Sequence, residues 1–223
     1  MLKALDRSVG RILDTLEKNN LTDNTLIVLT SDNGGANYIH LSDINKPYRG
    51  WKLTHFEGGL HVPFMAKWPN KIKPGIEFNA PIHANDILPT FAAAAGAELP
   101  DDRIIDGVNL LPFLQNHNSD MPHETLYWLQ GRLQTVLHEN WKLITDHRTG
   151  KDWLFNVESD PYERINLASE MTLKVEELKR LLNDHKKVQP PPLYDNTMSV
   201  PILIDKHNGY AFQDGDEFTY WDN

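Results

Sequence analysis

In Leu26-Ile-Val-Leu-Thr-Ser-Asp-Asn-Gly-Gly35, an apolar run leads directly into a polar turn. The run from Leu26 to Leu29 shows no period-two alternation, which predicts a strand buried on both faces. Turn-forming residues follow it, so Asp32 and Asn33 stand at the carboxyl end of that strand. In open α/β sheets, ligands bind at this end of the strands. We therefore predict a central parallel strand that ends with the side chains of Asp32 and Asn33 turned to a common point.

The polar turn has two interpretations. A carboxylate beside a carbonyl amide on tight backbone offers hard oxygen ligands, which suit Ca²⁺ or Mg²⁺. The alternative is a solvated Asx turn that does no more than end the strand.

A second motif, Arg49-Gly-Trp-Lys-Leu-Thr-His-Phe-Glu-Gly-Gly59, follows the loop 36–48. Its glycines allow close backbone approach. A lysine held among them can direct a compact positive charge at an anion, although most lysines are simply exposed to solvent. We interpret Glu57 as a structural residue that is hydrogen-bonded to nearby backbone, not as a general base.

These two motifs and four later segments, taken in order, resemble the type I sulfatases of the alkaline phosphatase superfamily. The later segments are Asp86-Ile-Leu-Pro-Thr90, Ile105-Asp-Gly107, Trp141-Lys-Leu-Ile144 and Asp160-Pro-Tyr-Glu-Arg-Ile-Asn-Leu167. The resemblance implies an α/β fold, with part of an alkaline-phosphatase-like mixed sheet and its flanking helices. It also implies a small α+β carboxyl-terminal subdomain with an antiparallel sheet.

The resemblance also implies roles for individual residues. Asp32 and Asn33 would be ligands of a Ca²⁺ ion, with Mg²⁺ as the other possibility, and Lys52 would be a catalytic residue that binds the sulfate of a sulfate ester. His40, in the loop beside the candidate site, and His55, within the second motif, are further candidates for substrate binding. We expect the Lys52 amine within roughly 10 Å of the Asp32 carboxylate, because one ester must be reached by both cation and lysine.

The nucleophile of this family is a formylglycine made from Cys or Ser in a C/S-x-P-S/A-R motif. The chain has no cysteine, and its Ser199-Val-Pro201 is followed by Ile202 and Leu203, with no arginine. The helical pattern that begins the chain has no strand before it. We therefore expect a carboxyl-terminal piece of a sulfatase, which is inactive without a missing amino-terminal half that carries the formylglycine.

The composition narrows the classes of partner. The formal net charge of −9 argues against a nucleic-acid partner, and no apolar run approaches the length of a membrane span. The amino terminus is amphipathic and does not resemble a signal peptide. The absence of cysteine excludes disulfides without identifying the compartment; a periplasmic or secreted location is expected for a full-length family member. The sequence does not indicate an oligomeric state.

Hydrophobic periodicity predicts the order of elements. Apolar residues from Leu2 to Leu16 form one stripe of an opening helix, and a short helix is expected over residues 87–95, with Asp86 as its N-cap and Gly96 as its stop. A strand is possible over 77–82. Strand-like runs at 125–129, 132–137, 141–145 and 153–157 predict an antiparallel meander, and a further amphipathic helix covers 173–182.

We accordingly predict a catalytic α/β part over residues 1–118, a sheet-plus-helix subdomain over 119–190 and an irregular tail over 191–223, in which residues 202–204 could add an edge strand. Two other functions stay open from the sequence. The chain could belong to a phosphate or phosphonate ester hydrolase of the same superfamily, or it could be a non-catalytic binding module.

Overall fold

The structure is a computed structural model that describes residues 2–116 and 120–223. Its α-helices are α1 Leu2–Lys18, α2 Glu57–Leu60, α3 Ile87–Ala95, α4 Leu111–Leu114 and α5 Thr172–Val188. Its strands are β1 Ile27–Thr30, β2 Phe64–Lys67, β3 Thr125–Gln130, β4 Leu133–His138, β5 Trp141–Asp146, β6 Lys151–Asn156, β7 Ser199–Leu203 and β8 Phe218–Asp222. The mixture of helices and sheets agrees with the predicted α/β class.

The chain divides into two compact units. The first comprises residues 1–30 and 64–123, and the second comprises residues 31–63 and 124–223. Residues 31–63, which carry the polar turn of the first motif and the whole of the second motif, therefore cluster with the carboxyl-terminal residues. The predicted boundary between residues 118 and 119 lies outside the described residues.

In the first unit, β1 pairs antiparallel with β2, in a register that sets Ile27 opposite Lys67 and Thr30 opposite Phe64. The prediction of a parallel strand buried on both faces was wrong for this structure. The described residues supply β1 with a single neighbouring strand, and Leu29 and Thr30 are exposed. The polar turn does begin where β1 ends, as the sequence predicted.

The apolar stripe of α1 is formed as predicted but is left uncovered. No described residue of α1 is buried, and Leu2, Leu5 and Ile12 are at least 60% exposed. Leu88 on α3 and Met65 on β2 are also exposed. The first unit therefore presents much of its apolar surface to solvent.

The segment around α3 departs from the sequence prediction in one respect. Gly96 ends α3 in the left-handed region with φ 68°, as expected. Asp86, however, belongs to a 3₁₀ turn that runs directly into α3, so its carboxylate does not cap the helix. It accepts hydrogen bonds from the backbone of His83 and Val108 and lies 2.9 Å from Nε2 of His123. Residues 77–82 form no strand.

The second unit is built on the predicted meander, a four-stranded antiparallel sheet in the order β3-β4-β5-β6. Successive strand residues point to opposite faces. One face packs Val136, Leu143 and Leu154 against the apolar side of α5. The other face packs Leu133, Ile144, Trp153 and Phe155 against Phe56 and Ile204.

Packing on this second face explains why residues 31–63 and 124–223 belong to one unit. Phe56, from the second motif, contacts Trp153 edge-on with ring centroids 5.5 Å apart. Ile204 directly follows β7, which pairs antiparallel with β8. The predicted irregular tail therefore contains a β-hairpin, because its apolar residues complete the core on the sheet face opposite α5.

No helix in the described parts of the chain is long and apolar enough to cross a bilayer.

Candidate functional site

Close backbone packing joins the two sequence motifs. The amide of Gly34 donates to the carbonyl of Gly59 at 3.0 Å, and the amide of Lys52 donates to the carbonyl of Gly35 at 3.0 Å. A Cβ atom placed on Gly34 would lie 1.7 Å from the carbonyl oxygen of Gly58, so only glycine fits there. We call this junction of residues 32–35, 49–52 and 57–59 the glycine junction.

Asn45, from the loop between the motifs, fastens the same junction. Its Oδ1 accepts from the amide of Gly35 at 2.6 Å. Its Nδ2 donates to the carbonyls of Gly35 at 2.9 Å and of Gly50 at 3.0 Å. One side chain thus satisfies backbone groups of both motifs. Nothing in the local sequence distinguishes Asn45 from the other polar residues of this loop.

The predicted cation ligands lie in the turn that the junction holds. Asp32 is exposed and Asn33 is half-buried, and the Ser31 hydroxyl donates to the Asn33 carbonyl at 2.8 Å. Both side chains carry hard oxygen donors of the kind that Ca²⁺ and Mg²⁺ prefer. Among the residues that the structure describes, no cluster of three or more His, Cys, Asp or Glu could hold a metal ion. These two residues therefore offer part of a ligand set, and their role as ligands stays a prediction.

Lys52 lies beside that turn through its backbone, as its bond to Gly35 shows. Its side chain is half-buried. The next residue, Leu53, has φ 79°, a conformation that costs a non-glycine residue about 1–3 kcal/mol. The turn from Trp51 to Thr54 holds it there, with the Thr54 amide 3.0 Å from the Trp51 carbonyl. The distance from the Lys52 amine to the Asp32 carboxylate stays a prediction.

A buried ion triad supports the glycine junction from the sheet. The Lys142 amine, on β5, lies 2.5 Å from Oε1 of Glu57 and 2.8 Å from Oε1 of Glu163. Lys142 is 1% exposed and Glu163 is fully buried. The second oxygen of Glu163 accepts from the Glu57 amide at 2.7 Å, at the start of α2. Glu57 is thus structural, as predicted, but its carboxylate binds the amine of Lys142 and Nδ1 of His61, not backbone.

The triad separates the pKa values of its two acids. Burial alone would raise the pKa of Glu57, but Lys142 and His61 outweigh it and lower the value to about 2. For Glu163, burial dominates and raises the pKa, with the charge of Glu57 adding to it and Lys142 opposing it. The Lys142 ammonium is favoured by both acids, which raise its pKa against the effect of burial. Glu57 therefore stays ionised at neutral pH.

Arg49 ties the second motif to the carboxyl-terminal hairpin. Its guanidinium donates two bonds to Asp205, at 2.7 and 2.6 Å, and a third to Glu217. Its own carbonyl accepts from the amide of Gly58 at 2.6 Å. Burial lowers the pKa of Arg49, but the two carboxylates outweigh it and raise the pKa above its ordinary value. Side chains of the predicted irregular tail therefore reach the glycine junction.

The two candidate substrate-binding histidines have different environments. His55 is buried, with Nδ1 2.9 Å from the hydroxyl of Thr135 on β4. Burial and the charge of Lys142 lower its pKa to about 3, so the ring is neutral. Its ring is enclosed in the core of the second unit, and a role for His55 in substrate binding stays a prediction. His40 is exposed and stacks on His207, with ring centroids 5.1 Å apart.

The sequence carried only part of the information that would identify Lys142 and Glu163 as supports of the site. Lys142 and Glu163 both lie in segments that carried the family resemblance, but a strand pattern does not show which distant residue a lysine will meet. Glu57 and Lys142 are 85 positions apart. Only the folded sheet brings them together.

Comparison with known proteins identifies the family. The model described as Sulfatase matches residues 1–97, and the model described as N-sulphoglucosamine sulphohydrolase, C-terminal, matches residues 50–188. Steryl-sulfatase from Rattus norvegicus is 38% identical over 167 residues, which cover 72% of this chain and 28% of that protein. Ulvan-active sulfatase from Formosa agariphila is 29% identical over 240 residues, which cover 90% of this chain and 44% of that protein.

A solved structure agrees with these matches. The crystal structure of Ps i-CgsB in complex with k-i-k-neocarrahexaose is 31% identical and has a TM-score of 0.76, covering 87% of this chain and 43% of that chain. This chain spans less than half the length of these relatives. The second family model covers more than half of this chain and agrees with the sequence motifs, so the chain belongs to the sulfatase family.

Proposed function

We propose that this chain supplies the carboxyl-terminal part of a sulfuric ester hydrolase, with Asp32 and Asn33 as cation ligands and Lys52 as the sulfate-binding residue. The observation that carries the proposal is the glycine junction. Through it, the amide of Lys52 donates to the carbonyl of Gly35 at 3.0 Å, two residues after Asn33. A negatively charged ester requires positive charge on its oxygens, and this junction is where the chain can provide it.

The side chains of Asp32 and Asn33 offer the type of donor atom that a hard cation prefers. The Asp32 carboxylate and the Asn33 amide are oxygen donors on a turn fixed by three flanking hydrogen bonds. When bound, such a cation would withdraw charge from the sulfuryl oxygens as a Lewis acid. A cation of this class takes about six or more oxygen ligands, so two protein ligands support weak binding at best. Lys52 adds a rotatable ammonium that can neutralise charge on the sulfate or on the leaving oxygen.

The chain lacks the nucleophile of the proposed reaction. Without cysteine, and without a serine in the required motif, it has no residue that could become formylglycine. We infer that hydrolysis needs an amino-terminal segment that supplies this group and the remaining cation ligands. The chain alone should therefore not turn over sulfate esters.

The proposed substrate is the sulfate ester of a saccharide. Two proteins that match most of this chain are described as an ulvan-active sulfatase and as Ps i-CgsB in complex with k-i-k-neocarrahexaose. The steryl-sulfatase match covers less of the chain. A saccharide is also consistent with the polar, exposed loops that surround the glycine junction.

The test is an assay with 4-nitrophenyl sulfate and Ca²⁺, on the chain alone and on an upstream-extended version. We expect turnover by the extended version only, and we expect Lys52→Ala to abolish it while Lys71→Ala, at an exposed lysine of the first unit, leaves it unchanged. If the chain alone hydrolyses the ester and Lys52→Ala abolishes this activity, the proposal that an amino-terminal segment supplies the nucleophile is wrong. Faster hydrolysis of a phosphate or phosphonate ester would favour the other hydrolase class, and sulfate binding without turnover would favour a binding module.

A further inference from the structure

Three aromatic rings form a contact cluster on the surface of the second unit. His40 stacks on His207 with an interplanar angle of 21°, and His207 contacts Tyr210 with ring centroids 4.5 Å apart. His40 and Tyr210 are exposed, and His207 is half-buried between them. We call these three residues the ring platform. Two exposed aromatic rings therefore lie together beside a third, whereas apolar side chains scattered singly are the ordinary case at a surface.

The loop between β7 and β8 holds its part of the platform in place. The Tyr210 amide donates to the His207 carbonyl at 3.1 Å, and the Gly209 amide donates to Nδ1 of His207 at 3.1 Å. Across the loop, the Lys206 amine lies 2.6 Å from Asp216. The loop backbone and the His207 ring are therefore held before any ligand arrives, which reduces the entropy lost on binding.

The platform is tied to the glycine junction from two directions. His40 lies five residues after Gly35, which is at most about 18 Å of extended chain, and a 3₁₀ turn over Asn37–Ile39 shortens this path. The loop that carries His207 and Tyr210 also carries Asp205, which binds Arg49 of the second motif. A ligand that reaches Lys52 could therefore extend over the platform.

The loop also lies outside the part of the chain that the family models match, which ends at residue 188. His40, by contrast, lies within the match of residues 1–97. His207 and Tyr210 thus supply contacts that the family matches alone do not account for.

We propose that the ring platform binds the ring face of a sugar residue in a sulfated saccharide, while the sulfate lies at the glycine junction. This inference rests on the proposed function. One face of a pyranose presents C–H groups, which pack on aromatic faces, and its rim presents hydroxyls, which histidine and tyrosine edges can bond. Because His207 is half-buried between the other two rings, the sugar would pack on the outer faces of His40 and Tyr210, which are exposed.

The surroundings disfavour other occupants. The loop that carries His207 and Tyr210 has four acids, Asp205, Asp214, Asp216 and Glu217, and one lysine. Three of these acids are paired with cations, so the loop, which the structure describes in full, offers no unpaired cation that would attract the phosphates of a nucleic acid. The sulfate itself is better placed near Lys52 for the same reason. Three rings also offer far less area than the roughly 1,200–2,000 Å² of a stable protein interface.

The test measures binding to the 223-residue chain by NMR of its histidine ring C–H groups, with His40 and His207 assigned from the variants His40→Gln and His207→Gln. The probes are a neocarrahexaose, a sulfated ulvan oligosaccharide and inorganic sulfate. We expect at least one saccharide to shift both histidine signals and inorganic sulfate to shift neither. Tyr210→Ala should weaken that saccharide at least fivefold, which is about 1 kcal/mol.

The matched control is Tyr194→Ala, at a tyrosine of the same unit that is 84% exposed and outside the platform. It should change the dissociation constant less than twofold. Absence of histidine shifts with both saccharides, or equal weakening by the two tyrosine variants, would overturn the platform. Binding needs no turnover, so a failure of the proposed sulfatase function appears separately, as absence of aryl sulfate hydrolysis in the upstream-extended version.

Discussion

Replacing Lys142 by methionine tests the buried ion triad that supports the glycine junction. The substitution keeps the length of the side chain but leaves the carboxylates of Glu57 and Glu163 without their shared cation. Removing one partner of a buried pair costs about 3–5 kcal/mol. We take the lower end, about 3 kcal/mol, since Glu57 keeps its contact with His61 and part of its side chain reaches solvent. For a chain of this length that corresponds to a melting temperature lower by about 6–12 °C.

The pH dependence of this deficit has a definite sign. In the wild-type chain the pKa of Glu57 is lowered to about 2, so its stabilisation is fully present above the unfolded value of 4.5 and is lost as pH falls towards 2. In Lys142→Met both buried acids lack a cation, so their folded pKa values should rise above 4.5. The variant then loses folding free energy only as pH rises through the pKa values of these two acids. The difference between the two chains should therefore be largest at pH 7 and shrink towards pH 4.

The assay is urea denaturation followed by tryptophan fluorescence and far-UV circular dichroism, at pH 4 and pH 7. Adding Glu163→Gln to Lys142→Met should recover at least half of the deficit, because one uncompensated carboxylate is removed. Lys179→Met is the matched control. It breaks a pair with Asp152 in which the lysine is 40% exposed, and such pairs contribute about 0–1 kcal/mol. If the two lysine variants are equally stable, or if the deficit of Lys142→Met grows towards pH 4, the assignment of the triad as a support is wrong.

Two further predictions concern the glycine junction and the exposed apolar surface. Gly34→Ala should lower the free energy of unfolding by about 2 kcal/mol or more, since its Cβ would overlap the Gly58 carbonyl. Gly10→Ala in α1 has open space and should raise the free energy of unfolding by about 0.5–1 kcal/mol. Equal effects of the two variants in thermal denaturation would contradict the close packing of Gly34 on Gly58. The chain should self-associate through the apolar stripe of α1, and Leu5→Lys with Ile12→Lys should reduce this in sedimentation velocity, while Lys3→Glu on the polar face should not. A wild-type chain that sediments as a monomer at all concentrations would refute this.

Local patterns predicted most of the elements. The meander, the helix that covers it and the opening helix each follow from a periodicity that a few consecutive residues carry. The strands begin and end within two residues of their predicted bounds, and the two helices within six. The glycines of the two motifs were predicted to allow close backbone approach, and they do so between Gly34 and Gly58. The order of the motifs was sufficient to predict the sulfatase family.

The failures of prediction share a cause. Whether β1 pairs parallel or antiparallel depends on its neighbour, β2, and not on the apolar run itself. The position of His55 within its motif likewise does not show that its ring lies buried beside Thr135, 80 positions away. The tail was predicted to be irregular because its composition is acidic. Its two short strands form by pairing with each other, which a local pattern does not indicate.

The sequence by itself therefore determined the family, the periodic elements and the turn that carries Asp32 and Asn33, because these depend on residues close together in the chain. Only the tertiary structure decided that Lys142 and Glu163 would support α2, that Asp205 would hold Arg49 and that His207 would meet His40. Each of these contacts joins residues separated by 85 or more positions. The physical reason is that such pairs arise from packing the two faces of one sheet, and no local pattern of residues specifies which side chains that packing brings together.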